Sequence, residues 1–402
     1  MQMFRHGNVC DAIASMARRH GPVFSIPAPG RPYVVIGHAE EFEQVLVRSR
    51  GFFTKSFTLE PLELMCSKEL LYPDEAERRR LGGIFRPLLS RAPIVARGGG
   101  FGTAIEAACS TTPARFVDGH PRPVIDLLLD LHYRVLLNFY LGADIAADPR
   151  HMGQRSLELT GLLPRVWPTR IVPTPWRSRA RTAISELRAH VRDLIESQPA
   201  DTDAVLNCRE LRQRLTEEQL RENVLILLYS SINVPVLLES CLHELLSNPE
   251  ELRRIEQSTG EARRQALQLA LQETLRLHPV SSLILRDTTL DCEIAGYHIA
   301  QGSVVVLPTI LVNRDPAIWP DPMRFDPLRF ATEAARPDIF AYGRGPRFCI
   351  GKSFAEAVMA PLLDHVLRHF RFEQPELDGR VCQSLPYRLQ GPIARLKPRN
   401  SP

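Results

Sequence analysis

Residues 340–355 read Phe-Ala-Tyr-Gly-Arg-Gly-Pro-Arg-Phe-Cys-Ile-Gly-Lys-Ser-Phe-Ala. In this stretch one cysteine, Cys349, follows a turn rich in glycine and arginine and precedes an amphipathic run that reaches about Phe370. Few folds can use such a segment. The chain has to deliver a single sulfur to the N-terminus of a helix, among Arg344, Arg347 and Lys352. That placement predicts a lowered thiol pKa and a sulfur held as thiolate. Gly343, Gly345 and Gly351 leave room for backbone N–H groups to approach the sulfur. A thiolate held in this way is a nucleophile or an iron ligand.

The other cysteines do not compete for this role. The eight (10, 66, 109, 208, 241, 292, 349, 382) lie far apart, with no C-x-x-C pair and no zinc spacing. The pattern predicts a reduced, cytoplasmic protein. A chain of 402 residues with 44% hydrophobic and 24% charged content buries a sizeable core without disulfides. Its net charge of +4 is too small and too scattered to argue for nucleic acid. The first residues, Met1 to Gly7, are polar and do not read as a signal sequence. The longest apolar stretch, Val224 to Leu238, is interrupted by Tyr229-Ser230-Ser231, Asn233 and Pro235. It falls short of the ~20 apolar residues of a membrane span.

Helical periodicity marks residues 9–20, 40–48, 75–89, 122–142, 178–197, 216–247 and 261–277. The helix at 216 opens with Thr216-Glu-Glu-Gln219, a capping box. Strand-like alternation covers 22–36, around the turn Pro29-Gly30-Arg31-Pro32, and returns near 292–307 and 380–397. Residues 163–176 carry four prolines and two tryptophans and read as a proline-broken connection of the kind that serves as a lid. Arg97 to Gly102 is a glycine-rich turn, with neither the preceding strand nor the Lys-Ser/Thr of a phosphate loop. No repeat or linker divides the chain. The expected fold is mainly α (α+β), a single domain over residues 1–402 with a large helical part and a small strand-rich part.

The segment Tyr342-Gly-Arg-Gly-Pro-Arg-Phe-Cys349-Ile-Gly351 resembles the cysteine loop of the cytochrome P450 family, except that Tyr342 stands where Phe is usual. The resemblance implies a haem b cofactor with Cys349 as its iron ligand. Tyr342, Gly343, Ile350, Gly351 and Ala355 would lie against the haem. It extends to Glu273-Thr-Leu-Arg276 and to Asn313–Phe330, which contains Arg329. In the family such residues form a buried triad that fixes the cysteine loop. It further implies that Arg347, Arg286 and Arg78 bind the haem propionates. At the last position Arg79 and Arg80 compete with Arg78, and Asp74 replaces the family's Trp or His. A solvated arginine face is the alternative for this run.

The central helix departs from the family pattern. Where the family carries Ala/Gly-Gly-x-Asp/Glu-Thr, this chain has Tyr229, Ser230, Ile232 and Asn233, so there is no acid–alcohol pair to deliver protons. Asn233 and Ser230 are the candidate catalytic residues; Asn233 either faces the reaction or packs the helix. Pro235 is expected to kink the helix and free the Ser231 carbonyl. The resemblance implies a monooxygenase acting on a small apolar biosynthetic intermediate, free or carrier-bound. It would use dioxygen and electrons from a separate ferredoxin- or flavodoxin-type donor. Branches with Asn at this point include both hydroxylases and a peroxide isomerase, so a peroxide-rearranging enzyme or peroxygenase stays open, as does a haem-binding sensor without turnover. Substrate-facing stretches are expected at Leu62–Leu71, Leu225–Asn233 and Val280–Leu285.

Overall fold

The two alternating stretches become β1 (Val23–Ile26) and β2 (Tyr33–Ile36), which pair antiparallel with Phe24 opposite Val35. They open a five-stranded sheet in a computed structural model that describes residues 9–27, 31–48, 53–55, 75–90, 105–106, 114–141, 149–166, 175–197, 209–332, 337–382 and 387–399. With β3 (Phe53–Lys55), β4 (Ile284–Thr288) and β5 (Val304–Leu307), the strand order is β1-β2-β5-β4-β3. β5 reads Val-Val-Val-Leu and is buried throughout, as expected of a strand covered on both faces. It runs parallel to β2 and antiparallel to β4. Arg286 therefore sits in mid-sheet, paired with Lys55 on one side and Val305 on the other.

Around the sheet lie α1 (Val9–His20), α2 (Ala39–Glu43, continued as one π-helical turn through Gln44–Arg48), α3 (Glu75–Leu88), α4 (Val124–Leu141), α5 (Pro149–Val166), α6 (Pro175–Ser197), α7 (Glu217–Ser230), α8 (Asn233–Ser247), α9 (Pro249–Gln257), α10 (Gly260–Leu277) and α11 (Lys352–His369). α4 is buried around almost its whole circumference and packs on α5 and α8, which makes it the core helix of the larger part. The connection expected over 163–176 is shorter than the prolines suggested. α5 continues through Pro164 to Val166, at the loss of one N–H bond in its last turn, and α6 starts at Pro175, a favoured first-turn position. Residues 167–174 lie outside the described residues, as do 62–71, 97–102 and Leu385–Pro386.

The capping box forms as read: Thr216 Oγ1 accepts the Gln219 amide at 3.2 Å, and Gln219 Oε1 accepts that of Thr216 at 3.3 Å. Gln219 also donates to Glu77 at 3.1 Å and so ties α3 to α7. The helix that follows is not one kinked rod. It ends at Ser230, turns through Ser231 and Ile232, and restarts at Asn233. The Ser231 carbonyl is not freed by Pro235, because the Val234 amide reaches back one residue less and bonds it at 3.0 Å. Among the described residues no backbone amide bonds the Ser230 carbonyl, so the loss caused by the proline falls one position earlier. Taken together, Glu217–Ser247 are long and apolar enough to cross a membrane, yet 78% of their most apolar window is buried inside the protein. They form a core element here.

Glu273 and Arg276 are both 0% exposed and pair bidentately at 2.7 and 2.8 Å. All five N–H groups of Arg276 are used, two on Glu273 and the others on the carbonyls of Asn313, Pro322 and Arg324. The Trp319 ring lies 5.3 Å from its guanidinium. Arg329 Nε stands 3.4 Å from Glu273, an ion contact, while its Nη2 donates to the Asp321 carbonyl at 2.8 Å. Full pairing of this kind offsets the cost of burying the charges and fastens residues 313–329 to α10.

Candidate functional site

The segment from Phe340 to Gly351 closes on itself. Gly343 and Gly345 adopt left-handed φ of +67° and +70°, and a Cβ on Gly345 would overlap the Leu46 carbonyl oxygen of the π-helical turn. The Cys349 amide donates to the Tyr342 carbonyl at 2.9 Å, and that of Phe348 to Gly345 at 3.1 Å. α11 then starts at Lys352, with Ala355 N–H bonded to the Gly351 carbonyl at 2.9 Å. The turn therefore presents the Cys349 sulfur to a cavity of about 530 Å³.

Burial works against the expected drop in the cysteine pKa. Cys349 lies deep in the protein although its surface opens on the cavity, and burial pushes its pKa up. The amides of Gly351 and Lys352 and the Lys352 charge pull the other way without overcoming desolvation. Arg344 gives the sulfur no help because it pairs with Asp338. Lys352 lies over the rings of Tyr342 and Phe348, 5.4 and 5.5 Å from their centres. The Tyr342 phenol is itself driven upward, first by burial and then by Glu356 and Cys349.

The cavity is lined by the cofactor and catalytic candidates Cys349, Tyr342, Gly343, Arg347, Ile350, Gly351, Ala355, Arg78, Arg286, Ser230 and Asn233. Arg78 and Arg286 are each only 8% exposed. Arg79 and Arg80 instead face solvent, and Arg80 pairs with Glu77 at 2.7 Å, so the run divides into one cavity arginine and a solvated face. Ser230 is exposed to the cavity and Asn233 half-buried beside it. Val280 to Leu285 also line the wall, whereas Leu225 and Leu228 point elsewhere. No carboxylate or imidazole lines it among the described residues.

Arg86 and Tyr140 are among the lining residues that escaped the sequence reading. Arg86 lies on the same face of α3 as Arg78 and Gly82, at i, i+4, i+8, a spacing that was there to be read. Tyr140 enters from α4 and stacks on Phe354 of α11 with ring centres 4.9 Å apart. Nothing in the largely apolar α4 sequence marks it.

A broad cavity with one thiol at its floor, arginines at its edge and an apolar wall fits a planar, dianionic iron macrocycle. A Cβ on Gly351 would stand in ordinary van der Waals contact with the sulfur, at 3.9 Å. The cytochrome P450 family model matches residues 177–389. The chain belongs to the cytochrome P450 family.

The solved P450 structures it resembles include CYP175A1 from Thermus thermophilus, with a TM-score of 0.78 over 97% of this chain and 94% of that one at 21% identity. The retinoic acid-bound cyanobacterial CYP120A1 gives 0.82 over 99% and 96% at 19% identity. These likenesses establish the P450 fold. Among curated relatives, cytochrome P450 3A1 of Rattus norvegicus is 34% identical over 149 residues, 33% of this chain and 30% of its own length. Cytochrome P450 4V2 of Homo sapiens is 32% identical over 179 residues, 40% of this chain and 34% of its own length. The chain thus spans about a third of the length of these relatives. Membership in the family implies a haem cofactor.

Proposed function

We propose that the chain, working as one catalytic unit, is a monooxygenase that binds haem b and oxidises a small apolar biosynthetic intermediate with dioxygen. Electrons come from a separate ferredoxin- or flavodoxin-type donor. The observation that carries the reading is the Cys349 sulfur facing a cavity edged by Arg78, Arg286 and Arg347. Haem, when bound, supplies oxygen activation, and a thiolate ligand favours O–O cleavage.

The remaining work falls to the protein. Cys349 gives up its proton on binding iron, since a coordinating thiol is deprotonated outright. The Gly351 and Lys352 amides then stabilise the sulfur charge. Arg78, Arg286 and Arg347 hold the two propionates. Ile226, Leu283 and Leu285 receive apolar substrate and exclude bulk water. Ser230 and Asn233 orient the water that carries protons, which neutral groups can position but not acidify.

A second reading rests on the same wall. With no carboxylate or imidazole lining it among the described residues, a substrate that brings its own protons, such as a peroxide, is well served. Product formed only with NAD(P)H and a ferredoxin system supports the monooxygenase. Steady product from a peroxide, without reductant or dioxygen, replaces it with a peroxide-using enzyme. Haem uptake without product in either system leaves the sensor.

A further inference from the structure

The break in the central helix uncovers backbone carbonyls, and α4 brings polar groups to them. Because the Ile232 amide turns to the Tyr229 carbonyl at 3.1 Å, the Leu228 carbonyl loses its helical partner. Two hydroxyls stand in for it: Ser231 Oγ at 2.6 Å and Tyr133 Oη at 3.2 Å. Tyr133 belongs to α4, 95 positions earlier, and is fully buried. Its neighbour His132 is fully buried too, and neither ring nitrogen reaches hydrogen-bond geometry.

The polar group that acts on His132 is the Ser231 backbone. Its ring stands edge-on to Tyr133 at 5.3 Å and to Phe354 of the cysteine helix at 6.3 Å. Burial drives the imidazole down to about 3, so it stays neutral at ordinary pH. A core helix gains nothing in packing from such a pair, since leucine or phenylalanine would fill the space without desolvating a polar group. Of the pair, Tyr133 reaches the Leu228 carbonyl at the start of the turn.

We propose that Tyr133 is a positioning residue of the reaction cavity: with the Ser231 hydroxyl it caps the Leu228 carbonyl, holds the central helix in its broken form, and so sets Ser230 and Asn233 on the cavity wall. The inference rests on the reading of the cavity as a haem site. Tyr133→Phe keeps the ring and removes the latch.

The test uses the full haem-loaded chain, with imidazole as a small haem ligand read by its Soret shift. Tyr133→Phe should change the imidazole Kd and speed amide exchange over residues 228–236 by about 2- to 10-fold, the weight of one neutral hydrogen bond. In a Pro235→Ala background the helix regains its amide, and the same substitution should change either readout less than about twofold. The latch is refuted if Tyr133→Phe lowers the thermal midpoint but leaves imidazole binding and exchange alone, or acts equally in both backgrounds. Ser231→Ala, which removes the other hydroxyl, serves if Tyr133→Phe does not fold. If the wild-type chain takes up no haem, the reading of the site fails, while amide exchange on the same variants still decides the latch.

Discussion

Arg78 and Arg86, eight residues apart on α3, both donate to the carbonyl oxygen of Pro346 at 2.9 Å. Pro346 lies three residues before Cys349, so α3 holds the cysteine turn by one atom from two directions. Arg78 is buried at the cavity edge, whereas Arg86 is exposed. Were Arg78 to engage a propionate, as proposed, Arg86 would still hold the turn.

The two arginines should therefore separate on substitution. Arg78→Ala should lower haem occupancy, and Arg79→Ala or Arg80→Ala should not. Arg86→Ala should keep its haem but lose about 0.5–1.5 kcal/mol of stability, the net worth of a hydrogen bond. Haem content and thermal melts read both effects.

Cys349→Ser should abolish the red-shifted Soret band of the reduced carbon monoxide complex, the mark of thiolate ligation. A band that persists unchanged would remove Cys349 as the ligand.

Arg276→Ala leaves Glu273 buried without its bidentate partner and strips acceptors at Asn313, Pro322 and Arg324 of their donor. Breaking a buried pair in this way costs about 3–5 kcal/mol. Haem-free or insoluble protein is expected, and a variant that melts like the wild type would contradict it.

Asn233→Leu should uncouple the enzyme, with NAD(P)H still consumed, more peroxide released, and product down by about 10- to 100-fold, near the lower range for a proton-transfer group. Ile232→Glu with Asn233→Thr introduces the missing acid–alcohol pair. A monooxygenase should keep or gain coupling, whereas a peroxide-rearranging enzyme should lose its reaction as water enters.

His132 gives the fold an acid limit. Its folded pKa of about 3 lies below the unfolded value of 6.5, so the unfolded chain binds the extra proton between them. Stability is full above 6.5 and falls as pH drops through the window, by about 1.4 kcal/mol per pH unit for one proton. His278, also lowered by burial, acts in the same direction. Denaturation across pH 4–7 should show a shallower slope in His132→Phe by about one proton.

The parts legible in the sequence share one property: their residues are close in sequence or carry a spacing that geometry enforces. The cysteine turn, the capping box at Thr216, the β1–β2 pair and Glu273–Arg276 are of this kind. Pro235 announced a disturbance, but where the lost bond would fall depends on Val234 and on a hydroxyl from α4, which no local pattern encodes. Glu239 is another case. It is buried on α8 and paired bidentately with Arg388 at 2.7 and 2.9 Å, 149 positions away. The Cys349 pKa went astray for a related reason: helix position and nearby cations can be read from sequence, but the protein packed around the sulfur cannot.

Arg276 spends all five of its N–H groups on Glu273 and on the carbonyls of Asn313, Pro322 and Arg324, so the loop of residues 313–329 draws order from α10. An ordered loop of this kind would make loading a docking event rather than a folding reaction that waits for iron porphyrin. Its rate should rise in proportion to the free porphyrin concentration, with no slow conformational phase to set a ceiling.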